Sequence, residues 1–128
     1  MILGVGIEIV DVPELREKLD GSFESGIFLA SELDYARSLL RPWEHIAARL
    51  AAKRALWKAL GASPGASMLD VEVTRRANGE VGISLHGEAR RIAIEAGVAA
   101  CHVSLSHTAG MAVAVVLTEG RSPGKEQD

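Results

Sequence analysis

Between Pro42 and Leu60 the chain reads PWEHIAARLAAKRALWKAL, uninterrupted by glycine or any internal proline. Alanine, leucine, arginine and lysine lose little on entering a helix. The stretch therefore predicts one long helix, with Pro42 in its first turn and Gly61 as its C-cap. Trp43, Ile46, Ala47, Leu50, Ala51 and Trp57 recur at the spacing of a single helical face, which makes it a core helix. Whatever else the chain forms must pack around a rod about 28 Å long. Arg54 falls within that stripe and Lys58 lies one turn further on, so two cations are expected at the edge of a buried face, where they need an anion.

The remaining segments supply shorter elements. Residues 2 to 10 are rich in Val5, Ile7, Ile9 and Val10 and predict a first strand. Period two places Gly4, Gly6 and Glu8 on one of its faces and Val5, Ile7 and Ile9 on the other. Pro13 suits the first turn of a short helix running to Leu19, and Ser31 is a candidate N-cap for a helix containing Leu33, Tyr35, Ala36, Leu39 and Leu40. GASPGAS at 61 to 67 is a loop. Residues 69 to 75 and 80 to 85 read as a hairpin turning at Asn78-Gly79. Gly87 to Gly97 is helical, and 100 to 106 and 111 to 117 are two more strands. The order β-α-α-α-β-β-α-β-β predicts an α+β domain over 1–120, with helices on one side of a mainly antiparallel sheet, and a flexible tail over 121–128.

Composition narrows the function classes. A chain of 128 residues suits one domain. No apolar run approaches the roughly 18 residues of a membrane span, and MILGVGIEIVDV lacks a basic leader and carries Glu8 and Asp11. A net charge of −3 and 4% aromatic residues argue against a general nucleic-acid binder. Cys101 is the only cysteine, so no intramolecular disulfide forms and the cytoplasm is the expected compartment. Cys101 and His102 are strand neighbours facing opposite sides, which disfavours a thiol nucleophile. Zinc-ligand spacing, a phosphate loop and a dinucleotide fingerprint are all missing.

Three segments carry candidate chemistry: GVGIEIVDV at 4 to 12, ARLAAKRALWKALG at 48 to 61 and HVSLSH at 102 to 107. Each alone has an ordinary structural explanation. In order and together they resemble the holo-acyl-carrier-protein synthases, the short class of 4′-phosphopantetheinyl transferases. That family's patterns run G-[IV]-G-x-D-[IV]-x-[ED]-[IV], R-[FL]-A-A-K-E-A-x-x-K-A-[LI]-G and H-V-S-[IL]-S-H. FLASEL at 28 to 33 and AGMAVAVVLTEG at 109 to 120 extend the resemblance to nearly the whole chain.

The resemblance implies transfer of the phosphopantetheine arm of coenzyme A to a carrier-protein serine, in a homotrimer with sites between neighbouring subunits. His107 and Lys58 match the family pattern unchanged; His107 is the candidate base, Lys58 with the departing Arg54 the candidate anion clamp, and Gly61 and Gly65 the candidate coenzyme contacts. In the family, magnesium is held by a first-strand aspartate and a helix glutamate, hard oxygen ligands suited to that ion. Here those positions are Glu8 and Arg54, and Thr108 follows the last histidine where an acid is common. Glu8 is the only metal ligand left and Arg54 cannot ligate at all, so magnesium dependence is expected to be impaired or lost. In the first helix Arg16 and Lys18 are offset by Glu14, Glu17 and Asp20, which retunes carrier recognition.

Arg54 has two readings: an ion pair with Glu8 that closes the old metal position, which is preferred, or a guanidinium forked onto the pyrophosphate. Alternatives to the transferase are a homologue repurposed for an acid-base step on a polyketide or fatty-acid type intermediate using His107, Glu8 and Arg54, and a non-catalytic homologue.

Overall fold

A computed structural model of the chain describes residues 1–19, 26–61 and 67–121. In order these form β1 (Ile2–Asp11), α1 (Val12–Lys18), α2 (Ala30–Arg37), α3 (Pro42–Ala59), β2 (Val71–Arg75), β3 (Val81–Leu85), α4 (Gly87–Glu95), β4 (Val98–His107) and β5 (Met111–Gly120). Every ladder is antiparallel. The strands divide into a three-stranded sheet ordered β1-β5-β4 and a separate β2-β3 hairpin. The helices pack to one side, giving the expected α+β architecture. Beyond Arg121 the expected tail lies outside the described residues.

Two glycines set how closely helix and sheet meet. A Cβ on Gly4 would stand 2.0 Å from the Ala59 carbonyl oxygen, and one on Gly6 would stand 1.8 Å from that of Ala55. Only the missing side chains let β1 lie directly on the backbone of α3. The glycine face is therefore the inner one, and Glu8 lies on it. Val5, Ile7 and Ile9 point outward, each more than half exposed at 52%, 54% and 57%. An apolar face turned to solvent on a first strand inverts the usual arrangement.

α3 is buried more fully than one apolar stripe requires. Residues 46 to 53 are buried without a break, because the sheet covers one side of the helix and α2 and β2 cover others. Arg49 and Lys53 are consequently interior, whereas Arg54 and Lys58 are exposed, correcting the placement of Arg54 inside the stripe. Lys53 Nζ lies 2.8 Å from Glu32 Oε1, with side chains 0% and 1% exposed. It also donates to the Met68 carbonyl at 3.0 Å and to that of Val71. Glu32 accepts from the backbone N–H of Leu29 and of Val73, each at 2.9 Å. Burial pulls the Lys53 ammonium below its ordinary pKa and Glu32 opposes that shift. A pair satisfied on both sides is tolerated in a core that would reject either ion alone.

Glu32 also reshapes α2. By bonding the Leu29 N–H it makes Leu29 the N-cap residue rather than Ser31. The helix stops at Arg37, so Leu39 and Leu40 fall beyond it and Leu40 is 95% exposed.

Candidate active site

The expected site residues fall into two clusters against α3, one where its C-terminal half lies over β1 and one where its N-terminal half meets β4. On the β1 edge are Glu8, Arg54 and Lys58. Lys58 Nζ lies 2.8 Å from Glu8 Oε1 and donates to the Ile7 carbonyl at 3.3 Å. The preferred Glu8–Arg54 ion pair does not form; Lys58 takes the carboxylate. The reason is helical phase: with Gly4 on Ala59 and Gly6 on Ala55, residue 58 reaches over β1 at Glu8, while residue 54 comes level with Ile9 and Val10.

Arg54 opens instead on a cleft of about 530 Å³ lined also by Asp11, Glu14, Lys18 and Met111. Both carboxylates there are engaged. Asp11 caps α1 through the Glu14 N–H at 2.8 Å, and Glu14 pairs with Lys18 at 2.5 Å. Among the described residues Arg54 has no ion-pair partner.

These residues do not fit a divalent cation. Glu8 is the only carboxylate at the expected ligand positions, and an ammonium already occupies it. Among the described residues no three histidine, cysteine, aspartate or glutamate side chains converge.

On the β4 edge His107 shares the inner face of the sheet with Glu8, but β5 separates their strands; His107 pairs with Ala112, and Ala112 with Val10. His107 Nδ1 is 3.0 Å from Glu44 Oε1, and its ring stacks edge-on with His45 at 4.7 Å between centroids. With Nδ1 donating to Glu44, Nε2 is left to accept a proton. Arg49 and Arg75 both lie over the Tyr35 ring, their guanidinium carbons 4.8 and 5.4 Å from its centre. A cleft of about 320 Å³ joins His45, Arg49, Arg75 and His107. Burial lowers the pKa of Arg49, and burial followed by the neighbouring His107 lowers that of His45. Arg49 is 3% exposed and its Nε is buried without a hydrogen-bond partner. A concentration of cations with an unspent donor is a place for an anion.

Glu44, His45, Arg49 and Arg75 were not singled out in the sequence. Arg49 stands in the R-L-A-A-K motif and was legible there; the others lie outside any motif. Gly61 closes α3 with φ +70°, while Gly65 lies outside the described residues. Thr108 holds the β4–β5 turn, its hydroxyl accepting from the N–H of Gly110 and Met111. Cys101 is half-buried and burial raises its thiol pKa, so it offers no nucleophile.

Fourteen residues of helix, about 21 Å, separate Glu44 from Lys58. Within one chain His107 and the Glu8–Lys58 pair therefore do not meet.

The fold, the glycine-faced first strand and the two charged edges define a transferase of one family. Residues 4–116 match the model of the 4′-phosphopantetheinyl transferase superfamily, and the chain belongs to that family. It is 43% identical over 121 residues to the holo-[acyl-carrier-protein] synthase of Streptomyces coelicolor, covering 93% of this chain and 98% of that one. The synthase of Clavibacter sepedonicus is 41% identical over 122 residues, covering 94% and 98%. Among solved structures, the Bacillus anthracis synthase in complex with CoA (3′,5′-ADP) superposes with a TM-score of 0.79 at 32% identity, over 94% of this chain and 99% of that one. A likeness running end to end in named synthases does not favour a repurposed or non-catalytic homologue.

Proposed function

We propose that the protein transfers 4′-phosphopantetheine from coenzyme A to a carrier-protein serine, at a site completed between copies of the chain in a homotrimer. The observation that carries this is the division of the expected site residues between the two edges of α3. Each edge is half of a phosphoryl-transfer site, cations on one and a histidine base on the other.

In the transfer, the serine Oγ–H gives its proton to His107 Nε2 as Oγ bonds to the phosphorus bearing the pantetheine arm. The bond from that phosphorus to the bridging oxygen breaks, and the oxygen leaves with its electron pair as adenosine 3′,5′-bisphosphate. Glu44 holds the imidazole in register and stabilises it once protonated. Arg54 and Lys58 offset charge on the pyrophosphate oxygens, and the Arg49–Arg75–His45 cleft receives a further phosphate of the coenzyme.

The outward apolar face of β1, with Ile7 and Ile9 more than half exposed and Met111 at 51%, supports an assembly that covers it. Arg16 and Lys18, offset by Glu14 and Glu17, support a carrier-docking helix with little net charge. The single cysteine supports a reaction in the cytoplasm, and no helix among the described residues is long and apolar enough to cross a membrane. Incubation with coenzyme A and an apo carrier protein, followed by intact-mass measurement of the carrier, tests the reaction. The carrier gains one phosphopantetheine; a carrier unchanged at stoichiometric enzyme contradicts the reading.

A further inference from the structure

The β1 edge holds its charges in an arrangement that leaves no work for a metal. Lys58 is anchored at two points, the Glu8 carboxylate at 2.8 Å and the Ile7 carbonyl at 3.3 Å, so its ammonium is a positioned charge and not a free surface lysine. Glu8, with its side chain 19% exposed, is committed to that ammonium. Arg54 lies one helical turn away over the same strand and carries the guanidinium, the group whose planar fork matches two phosphate oxygens. The acidic groups sharing its cleft are spent elsewhere, Asp11 on the α1 cap and Glu14 on Lys18.

The geometry points to a transferase whose cation is part of the chain: Arg54 grips the coenzyme A pyrophosphate directly, Lys58 supports it, and Glu8 positions Lys58 instead of ligating an ion. The inference rests on the transferase reading and adds that binding and transfer proceed without a divalent cation. The charge balance is kept: an aspartate, a glutamate and a magnesium ion sum to zero, as Glu8 and Arg54 do here, and Lys58 adds its positive charge in either arrangement. Because an arginine offers donors only, charge reversal at this one position both removes a ligand and repels the metal.

The test is calorimetric titration of the whole protein with coenzyme A, first in EDTA and then in magnesium, beside electron paramagnetic resonance of manganese added to the protein–coenzyme mixture. The expected result is an affinity equal within about twofold in the two buffers, with a manganese spectrum matching that of coenzyme A alone. Arg54→Gln is expected to weaken binding in EDTA by about tenfold or more while leaving the unfolding midpoint unchanged, since Arg54 is exposed. Binding that tightens about tenfold with magnesium, a protein-bound manganese signal, or an Arg54→Gln protein that binds as the parent does overturns the inference and leaves the transferase reading standing. Absence of coenzyme A binding in both buffers overturns both.

Discussion

Along its β1 edge α3 sets Lys58 against the Glu8 carboxylate and leaves Arg54 open to solvent; along its β4 edge it sets Glu44, His45 and Arg49 against or beside His107, half-enclosed. Both edges use acidic and basic side chains at hydrogen-bonding distance, yet they do different work. On the open edge Lys58 is 59% exposed, and charge there is cheap to keep and available to a ligand. On the enclosed edge burial lowers the pKa of His45 and of Arg49, the cost of holding charge out of water, while Arg49 remains a cation. Between the edges runs the buried Lys53–Glu32 pair, which serves neither site and ties α3 to α2, β2 and the loop at Met68. On the proposed reading one helix carries an open edge that grips the pyrophosphate, an enclosed edge that handles the proton and takes a further phosphate, and a structural pair between them. Exposure, more than residue type, separates them.

The largest effect should come from breaking what holds the edges in place. Lys53→Met or Glu32→Ala strands a buried charge and is expected to cost about 3–5 kcal/mol in denaturant unfolding. Glu8→Gln removes an equally short pair on the open edge and should cost about 1 kcal/mol or less, although transfer slows. Equal losses for the two would erase the distinction.

Gly6→Ala comes next. The added methyl meets the Ala55 carbonyl at 1.8 Å, so β1 must lift from α3, with a loss of about 1–3 kcal/mol measured by thermal unfolding and a displaced Glu8. Gly110→Ala, with open space around it, serves as the control.

On the enclosed edge, His107→Ala should lower kcat by about a hundredfold or more with little change in coenzyme A affinity, sharpening the separation between proton handling and phosphate binding.

The smallest effect is in pH. The folded pKa of His45 is below its ordinary 6.5, so between the two values the unfolded chain holds more protons. Stability contributed by this residue therefore rises with pH through the window below about 6.5 and is lost on acidification. His45→Asn should flatten the pH dependence of the unfolding midpoint there. Added coenzyme A should do likewise, by bringing an anion to the imidazole.

Much of this was legible in the sequence. The order of elements follows from alanine-rich and β-branched runs punctuated by Pro13, Pro42, Gly61 and Asn78-Gly79, and it is the order observed, α2 alone starting from a different cap and stopping short of Leu39 and Leu40. Glu8, Lys58 and His107 were legible because they stand in motifs. What escaped was phase and depth. Periodicity gives a helix one apolar face and so puts Arg54 in a buried stripe, whereas α3 is covered on several sides and its exposed strip includes Arg54. The Glu8–Lys58 pair depends on how Gly4 and Gly6 slide β1 along α3, a registration that no local pattern encodes. His45 and Arg75 reach the His107 cleft from α3 and β2, Glu44 bonds His107 from the first turn of α3, and only tertiary packing brings them together.

On the proposed reading Lys58 of one copy and His107 of another act on the same coenzyme. Lys58→Ala and His107→Ala proteins, each inactive alone, can be unfolded together and refolded as a mixture. If neighbouring copies in a trimer share each site, random assembly leaves about one quarter of the sites with both residues intact, and transfer recovers to about that fraction of the parent rate. A mixture no more active than the two variants measured separately would place both residues in a single copy's site and contradict the account.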